Sequence, residues 1–150
     1  MKIDIIPYDP AHARKIIETH PRDQEQWLVN FKDFDVWAKG WAMAGPGFSM
    51  TIDGEIIACA GVTLLGYGKG EAWSLLSSLF YKYKKTVYKA IKIGLDMIIN
   101  ENNLRRVQVP IFCDFTQGRN LVEHLGFKFE GILKSYGIHG EDMALYGRVK

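Results

Sequence analysis

Apolar residues recur along this chain with two periods, near 2 and near 3.6, and each change of period predicts a change of element. The first segment, KIDIIPY, alternates weakly and predicts a strand, after which Asp9 offers an N-cap and Pro10 a first-turn proline for a helix to about Thr19. From Arg22 to Ala42 the aromatics Trp27, Phe31, Phe34, Trp37 and Trp41 stand three and four apart, predicting one or two short helices with a broad aromatic face, ended by Gly45, Pro46 and Gly47. FSMTI and EIIACAGVTLL then flank Asp53 and Gly54, the residue pair that two-residue hairpin turns favour. The GYGKG turn at 66–70 leads into a strand from Glu71 to Ser78, completing three consecutive antiparallel strands.

A longer helix follows, with its pattern starting near Lys84. Val87, Ile91, Leu95 and Ile98 share one face, Ala90, Gly94 and Ile99 lie beside it, and Asn100 to Asn103 end it. RRVQVPIFCD reads as a strand, but Pro110 has no N–H to give a ladder, so this strand is expected to be unpaired on one side there. Asp114 or Thr116 is expected to cap a short helix to about His124, stopped by Gly126. FKFEGILKSYGIHGEDMALYGRV closes the sequence as two strands around a GIHGE loop. The 150 residues contain no repeat, low-complexity tract or linker and fit a single domain, 1–150.

Composition narrows the function classes. The hydrophobic share of 47% and charged share of 24% are ordinary for a globular protein, and the longest apolar runs are too short to span a bilayer. Asp4, Pro7 and Asp9 interrupt the apolar residues of MKIDIIPYDP, so no signal peptide is expected and the sequence reads as cytosolic. Cys59 and Cys113 sit in strand-like apolar segments without metal-ligand spacing and read as reduced core thiols. A net charge of +2 argues against general nucleic-acid affinity, but it is unevenly placed. SSLFYKYKKTVYKAIK, residues 77–92, holds Lys82, Lys84, Lys85, Lys89 and Lys92 with no acidic residue, and without those five the chain has 14 basic against 17 acidic residues. Cations at a helix start oppose its dipole, so the cluster is either a solvated basic face or one side of a site for a small anion.

The order strand, helices, three antiparallel strands, long helix, strand, short helix, strand pair resembles the GCN5-related N-acetyltransferase (GNAT) fold over the whole chain. LVEHLGFKFEGILKSYGIHGEDMALYG is similar to the ending of the ribosomal-protein and amino-acid acetyltransferase branch, with Gly126, Phe127, Glu130, Gly131, Asp142 and Tyr146 at matching positions. DGEIIACAGV resembles that family's second and third strands, and short GNAT-like proteins of bacteriophages are similar in the aromatic amino-terminal region and the lysine-rich helix start. The resemblance implies an α+β fold whose mostly antiparallel sheet of six to seven strands is flanked by helices and splayed between strands 4 and 5. It also implies acetyl-CoA as cofactor in that splay, its pantetheine arm along Leu76, Ser77 and Ser78, and its pyrophosphate at the amides opening the long helix. Members of the family usually carry an Arg or Gln followed by glycines in that loop, because glycine lets amides approach phosphate closely. Here those glycine positions fall on Lys82, Lys84 and Thr86 and the arginine position on Tyr81, so Lys82, Lys84, Lys85 and Thr86 are the candidate pyrophosphate ligands.

The chemistry that the resemblance implies is acetyl transfer to a primary amine of a small molecule or protein. It needs a base for the ammonium proton and a proton source for the leaving thiolate. The family's usual acidic tyrosine falls on Val122 and its frequent asparagine on Phe115, neither of which can serve. Glu71, opening the fourth strand, is the candidate base, and Tyr136 the candidate proton donor or substrate contact. His139 and Asp142 share the terminal hairpin with Tyr136, where solvation and packing are the alternative roles, and Cys113 lacks an activating neighbour in sequence. An N-acetyltransferase, a non-catalytic GNAT scaffold of phage type and a coenzyme sensor all remain open. Neither nucleic acid nor membrane is expected as a partner, and a homodimer is left open.

Overall fold

Local signals account for most element boundaries. A computed structural model of the chain describes residues 1–22 and 33–150. In chain order the elements are β1 (Ile3–Pro7), α1 (Pro10–Thr19), α2 (Phe34–Ala44), β2 (Gly47–Ile52), β3 (Glu55–Gly66), β4 (Lys69–Leu76), a 3₁₀ helix (Ser78–Tyr83), α3 (Lys84–Glu101), β5 (Arg106–Phe112), α4 (Thr116–His124), β6 (Lys128–Leu133) and β7 (Met143–Val149). Asp9 caps α1 as expected: its carboxylate accepts from the Ala11 N–H at 2.8 Å, and the His12 ring closes a capping box from the other side. Asp53 and Gly54 turn between β2 and β3 with φ of 50° and 85°, the positive pair that a type I′ hairpin requires. Trp27 and Phe31 lie outside the described residues; Phe34, Trp37 and Trp41 are on α2.

Three boundaries differ from the sequence reading. The fourth strand runs Lys69–Leu76, ending two residues early because Ser77 leaves it to cap the 3₁₀ helix, its Oγ accepting from the Leu79 N–H at 3.1 Å. That 3₁₀ helix runs directly into α3, so the helical path starts six residues before Lys84. Neither Asp114 nor Thr116 caps α4: Phe115 holds the N-cap position without a side-chain bond, and Thr116 is the first helical residue.

The strands form one seven-stranded mixed sheet in the order β1-β2-β3-β4-β5-β7-β6. Every neighbouring pair is antiparallel except β4 and β5, which are parallel and meet only at Lys69↔Arg106, Gly70↔Val107 and Glu71↔Gln108. Beyond those pairs the two strands separate, while β5 stays paired to β7 through Pro110↔Leu145 to Phe112↔Met143. Pro110 thus stands where its strand has no ladder to β4, as its missing N–H demanded.

The sheet divides the interior into two cores. On one face Ala13, Ile16 and Ile17 of α1 and Phe34 and Ala38 of α2 pack with Cys59 and Leu75. On the other, Val87, Ala90, Ile91, Leu95, Ile98 and Ile99 of α3 pack with Phe48, Met50, Leu76, Val107 and Leu121. Adjacent Leu75 and Leu76 enter opposite cores, as strand alternation requires, and each such buried side chain contributes about 1.5–3 kcal/mol. The apolar face read from the α3 sequence is the buried face, Gly94 included.

Candidate active site

The separation of β4 and β5 opens a cleft of about 430 Å³ that reaches both faces of the sheet. Side chains of β4 reach its walls in alternation. Glu71 and Trp73 share the parity of Leu75 and the α1–α2 face, whereas Ala72, Ser74 and Leu76 share the α3 face. Trp37 and Trp41 of α2 line the first side; Tyr88, Ile91 and Leu95 of α3, with Leu121, Val122 and Leu125, line the second. The cleft is a passage through the sheet with a wall of tryptophans at one end and a mostly aliphatic wall at the other.

At the tryptophan end, Trp41 stacks on Trp73 with centroids 4.5 Å apart and planes inclined by 6°, and Tyr8 meets Trp73 edge-on at 4.9 Å. The buried Trp73 Nε1 has no hydrogen-bond partner among the described residues. Glu71 sits at the last β4–β5 pair, half-buried, so its carboxylate stands where the passage begins. Tyr136, 54% exposed in the β6–β7 connection, also lines the cleft. The structure therefore brings both candidate catalytic residues to one cavity.

Backbone groups of β4 complete the site. Ser77 N–H donates to Ile57 O of β3 at 2.9 Å, so by alternation the N–H and C=O of Leu76 and Ser74 point to the opposite edge, the one that β5 vacates. Leu76 lines the cleft, but Ser77 and Ser78 do not. Ser77 is buried and Ser78 half-buried. The three amides that open the 3₁₀ helix all have acceptors: Ser78 N–H bonds His20 O at 2.8 Å, Leu79 N–H bonds Ser77 Oγ at 3.1 Å, and Phe80 N–H bonds Ser77 O at 2.9 Å.

None of the candidate lysines lines the cleft. Lys82, Lys84 and Lys85 are exposed and Thr86 is half-buried. The Lys82 Nζ lies 5.5 Å from the Tyr83 ring centre, and the Lys84 Nζ 5.7 Å from the ring of Tyr88, a cleft residue. Lys84 is therefore the member of the cluster that the structure ties to the cavity wall. Lys92 pairs with Asp96 at 3.0 Å. His139, Asp142 and Cys113 line a second, more open groove beyond the end of β5. There the Ser135 N–H and then the Lys134 ammonium hold the Asp142 carboxyl below its usual range.

Residues that the sequence reading missed are Arg22, Phe80, Trp73 and Tyr88. Arg22 is 4% exposed and lines the cleft, its guanidinium 5.4 Å from the Phe80 ring centre and 5.2 Å from that of Phe115. Burial raises the Tyr88 hydroxyl above its ordinary pKa. Tyr88 and Phe80 fall eight residues apart, a spacing consistent with one helical face, whereas nothing periodic marks Arg22. Among the described residues no cluster of three His, Cys, Asp or Glu could hold a metal ion, and no helix is long and apolar enough to cross a membrane.

No protein-family model and no curated protein sequence matches the chain. Solved structures do. A chimera of spermidine N-acetyltransferase SpeG from Vibrio cholerae with hSSAT superposes with a TM-score of 0.77 at 14% identity, covering 99% of this chain and 96% of that one. A GNAT-family acetyltransferase from Streptococcus pneumoniae gives a TM-score of 0.73 at 12% identity, covering 99% of each chain. RimL, a ribosomal L7/L12 alpha-N-protein acetyltransferase in complex with coenzyme A through a cysteine disulfide, gives 0.75 at 11% identity over 99% of this chain and 94% of that one. At such identities the likeness is one of fold, and the mixed seven-stranded sheet with its parallel, splayed β4–β5 pair is the GNAT α+β fold.

Proposed function

We propose that the chain is an acetyl-CoA-dependent N-acetyltransferase of the GNAT type, acting on a primary amine of a small molecule or a protein by direct attack in a ternary complex. The observation that carries this reading is the passage opening after Glu71↔Gln108, where β5 leaves one edge of β4 and side chains of both sheet faces form the walls. Two ligands entering from opposite faces can meet there without sharing a binding surface. The names of the superposing enzymes support the same chemistry.

The residues present fit the coenzyme along the β4 edge that β5 leaves, where the N–H and C=O of Ser74 and Leu76 are placed to bond an extended amide-bearing arm. When bound, acetyl-CoA supplies a thioester as the acyl donor. The Leu76 N–H, facing the gap, is placed to donate to an oxygen gaining negative charge there. Glu71 takes the ammonium proton of the incoming amine, and Tyr136 or solvent returns a proton to the departing sulfur. Trp41 and Trp73 hold the organic part of the amine against the α1–α2 face, and Lys84 adds positive charge beside the Tyr88 wall. Positioning by these groups is the main contribution, since Val122 and Phe115 replace the polar residues that the family resemblance led one to expect.

A second reading, a GNAT scaffold without catalysis that serves virion assembly or host-protein binding, is favoured by the engaged amides of Ser78, Leu79 and Phe80. Titration of the protein with acetyl-CoA and CoA, followed by an assay against small amines and peptides, separates the two. The enzyme reading predicts thermal stabilisation of about 2.7 kcal/mol at a hundredfold excess over Kd, and acetyl transfer to at least one amine. Absence of any shift at millimolar coenzyme leaves the scaffold.

A further inference from the structure

The free edge of β4 is not wholly free. A strand has two hydrogen-bonding edges, and at Leu76–Ser77 one of them belongs to β3, through Ala58↔Leu76 and the Ser77 N–H to Ile57 O bond. The segment that follows α1 must therefore use the other. Pro21 forms an antiparallel bridge with Ser77, and His20 O accepts the Ser78 N–H at 2.8 Å. The side chain of Arg22 then reaches between Phe80, which follows β4, and Phe115, which follows β5, so it joins the two lips of the cleft. Four interactions of three consecutive residues thus fill one end of the gap that the parting of β4 and β5 creates.

We infer that His20–Arg22 is a strap that occupies the β4 edge and the Ser78 N–H that a coenzyme would take, so that coenzyme binding requires the strap to detach. This rests on the acyltransferase reading and adds a control to it. Detachment frees the Ser78 N–H, which already bonds a backbone carbonyl and can take a ligand carbonyl in its place, and removes the Arg22 guanidinium from the cleft. The strap acts as an intramolecular competitor: apparent coenzyme affinity is the intrinsic affinity multiplied by the fraction of chains with the strap released. It also accounts for the acceptor of the Ser78 N–H, whereas the Leu79 and Phe80 amides are held by Ser77 itself.

The bridge supplies its own test. Pro21 cannot donate, so Pro21↔Ser77 is a non-hydrogen-bonded pair, whose Cα atoms lie about 4.5 Å apart, within disulfide range. Coenzyme A affinity is measured by calorimetry for wild type, for Arg22→Ala and for the double variant Pro21→Cys with Ser77→Cys, oxidised and reduced. The strap predicts binding at least about tenfold weaker in the oxidised double variant than in the same protein reduced, and several-fold tighter in Arg22→Ala than in wild type. Wild type that binds nothing while Arg22→Ala binds also supports it, as a strap that is nearly always closed, and in that case the silence of wild type alone no longer argues for the scaffold. Equal, measurable affinity in oxidised and reduced forms overturns the strap and leaves the acyltransferase reading standing. If every form, Arg22→Ala included, is silent at millimolar coenzyme, both fall. Should the double variant not fold, the comparison of Arg22→Ala with wild type decides alone, with unchanged affinity counting against the strap.

Discussion

Glu71 and the two cysteines show how position in the sheet sets the chemistry open to a side chain. Glu71 is held at the last residue of β4 that pairs with β5, with its side chain on the face of Trp73, so it is the carboxylate that an amine arriving past the tryptophans meets. Glu71→Gln keeps the shape and removes the proton acceptor: turnover is expected to fall about a hundredfold with coenzyme Kd unchanged, as measured by steady-state kinetics and calorimetry. A loss in coenzyme affinity of similar size would place Glu71 in binding instead. Cys59 is fully buried between β2 and β4, and burial pushes its thiol up to about 12 despite the contact with Ser49 Oγ at 3.4 Å. Only the thiolate reacts, so at pH 8 a maleimide or iodoacetamide should label Cys113, half-buried at the end of β5, and leave Cys59 untouched until urea unfolds the chain. Mass spectrometry of native and denatured samples reads this directly. The sequence identified both cysteines as core thiols, but their unequal depth depends on which elements cover them. The same holds for the lysines, whose presence the sequence states and whose direction it does not.

At the scale of elements, the packing of α3 on the sheet was the most legible part of the fold, because seven apolar positions at helical spacing leave one solution for the buried face. What the pattern could not state is how close that helix comes. A methyl group added at Gly94 would stand 2.4 Å from the Phe48 ring of β2, a distance no pair of carbons tolerates. Gly94→Ala gains up to about 1 kcal/mol of helix propensity, while overpacking against a buried ring costs typically 1–3 kcal/mol. The second term wins, and urea denaturation should show a net loss of about 1–2 kcal/mol; a stabilised variant would mean that Phe48 moves freely. Asp96 ties the same helix to β7 and to its own preceding turn, accepting from Arg148 at 2.7 Å and from Lys92 at 3.0 Å. Burial opposes ionisation of Asp96, but those two hydrogen bonds and charges outweigh it, and the carboxyl lies below its usual value. A group depressed in the folded state contributes stability above its unfolded pKa, near 3.9, and loses that contribution as pH falls through the lower folded value. Wild type and Asp96→Asn should therefore differ by about 1 kcal/mol near neutral pH, a modest figure because the pair is partly solvated, and converge in acid below about pH 4. A gap that persists in acid would assign the cost to packing.

For the whole molecule, the consequence of one sheet with two cores is that the cleft is walled from both faces of the sheet. Pro110 announced the parting of β4 and β5 in the sequence, since a residue without an N–H needs an open edge, and the Asp53–Gly54 hairpin fixed the strands beside it. The strap was illegible because Pro21 and Ser77 are 56 positions apart and neither carries a periodic or compositional mark. Long-range pairings of that kind exist only once the sheet does. If the two faces take different ligands, their binding energies are separable in a way that a single shared surface would not allow. Trp41, from α2, walls the α1–α2 side; Tyr88, from α3, walls the other. Trp41→Ala is expected to raise the KM of the amine about tenfold, the loss of a stacked aromatic wall worth about 1–1.5 kcal/mol, and to leave coenzyme Kd within twofold. Tyr88→Ala should do the reverse, weakening coenzyme while leaving the amine KM unchanged at saturating coenzyme. Sites farther apart than about 7–10 Å without shared partners are expected to be additive, so the double variant should combine the two losses without coupling. Coupling above about 1 kcal/mol in this cycle, or both parameters moving together in either single variant, would mean that donor and acceptor enter by one mouth and that the passage through the sheet is closed in solution.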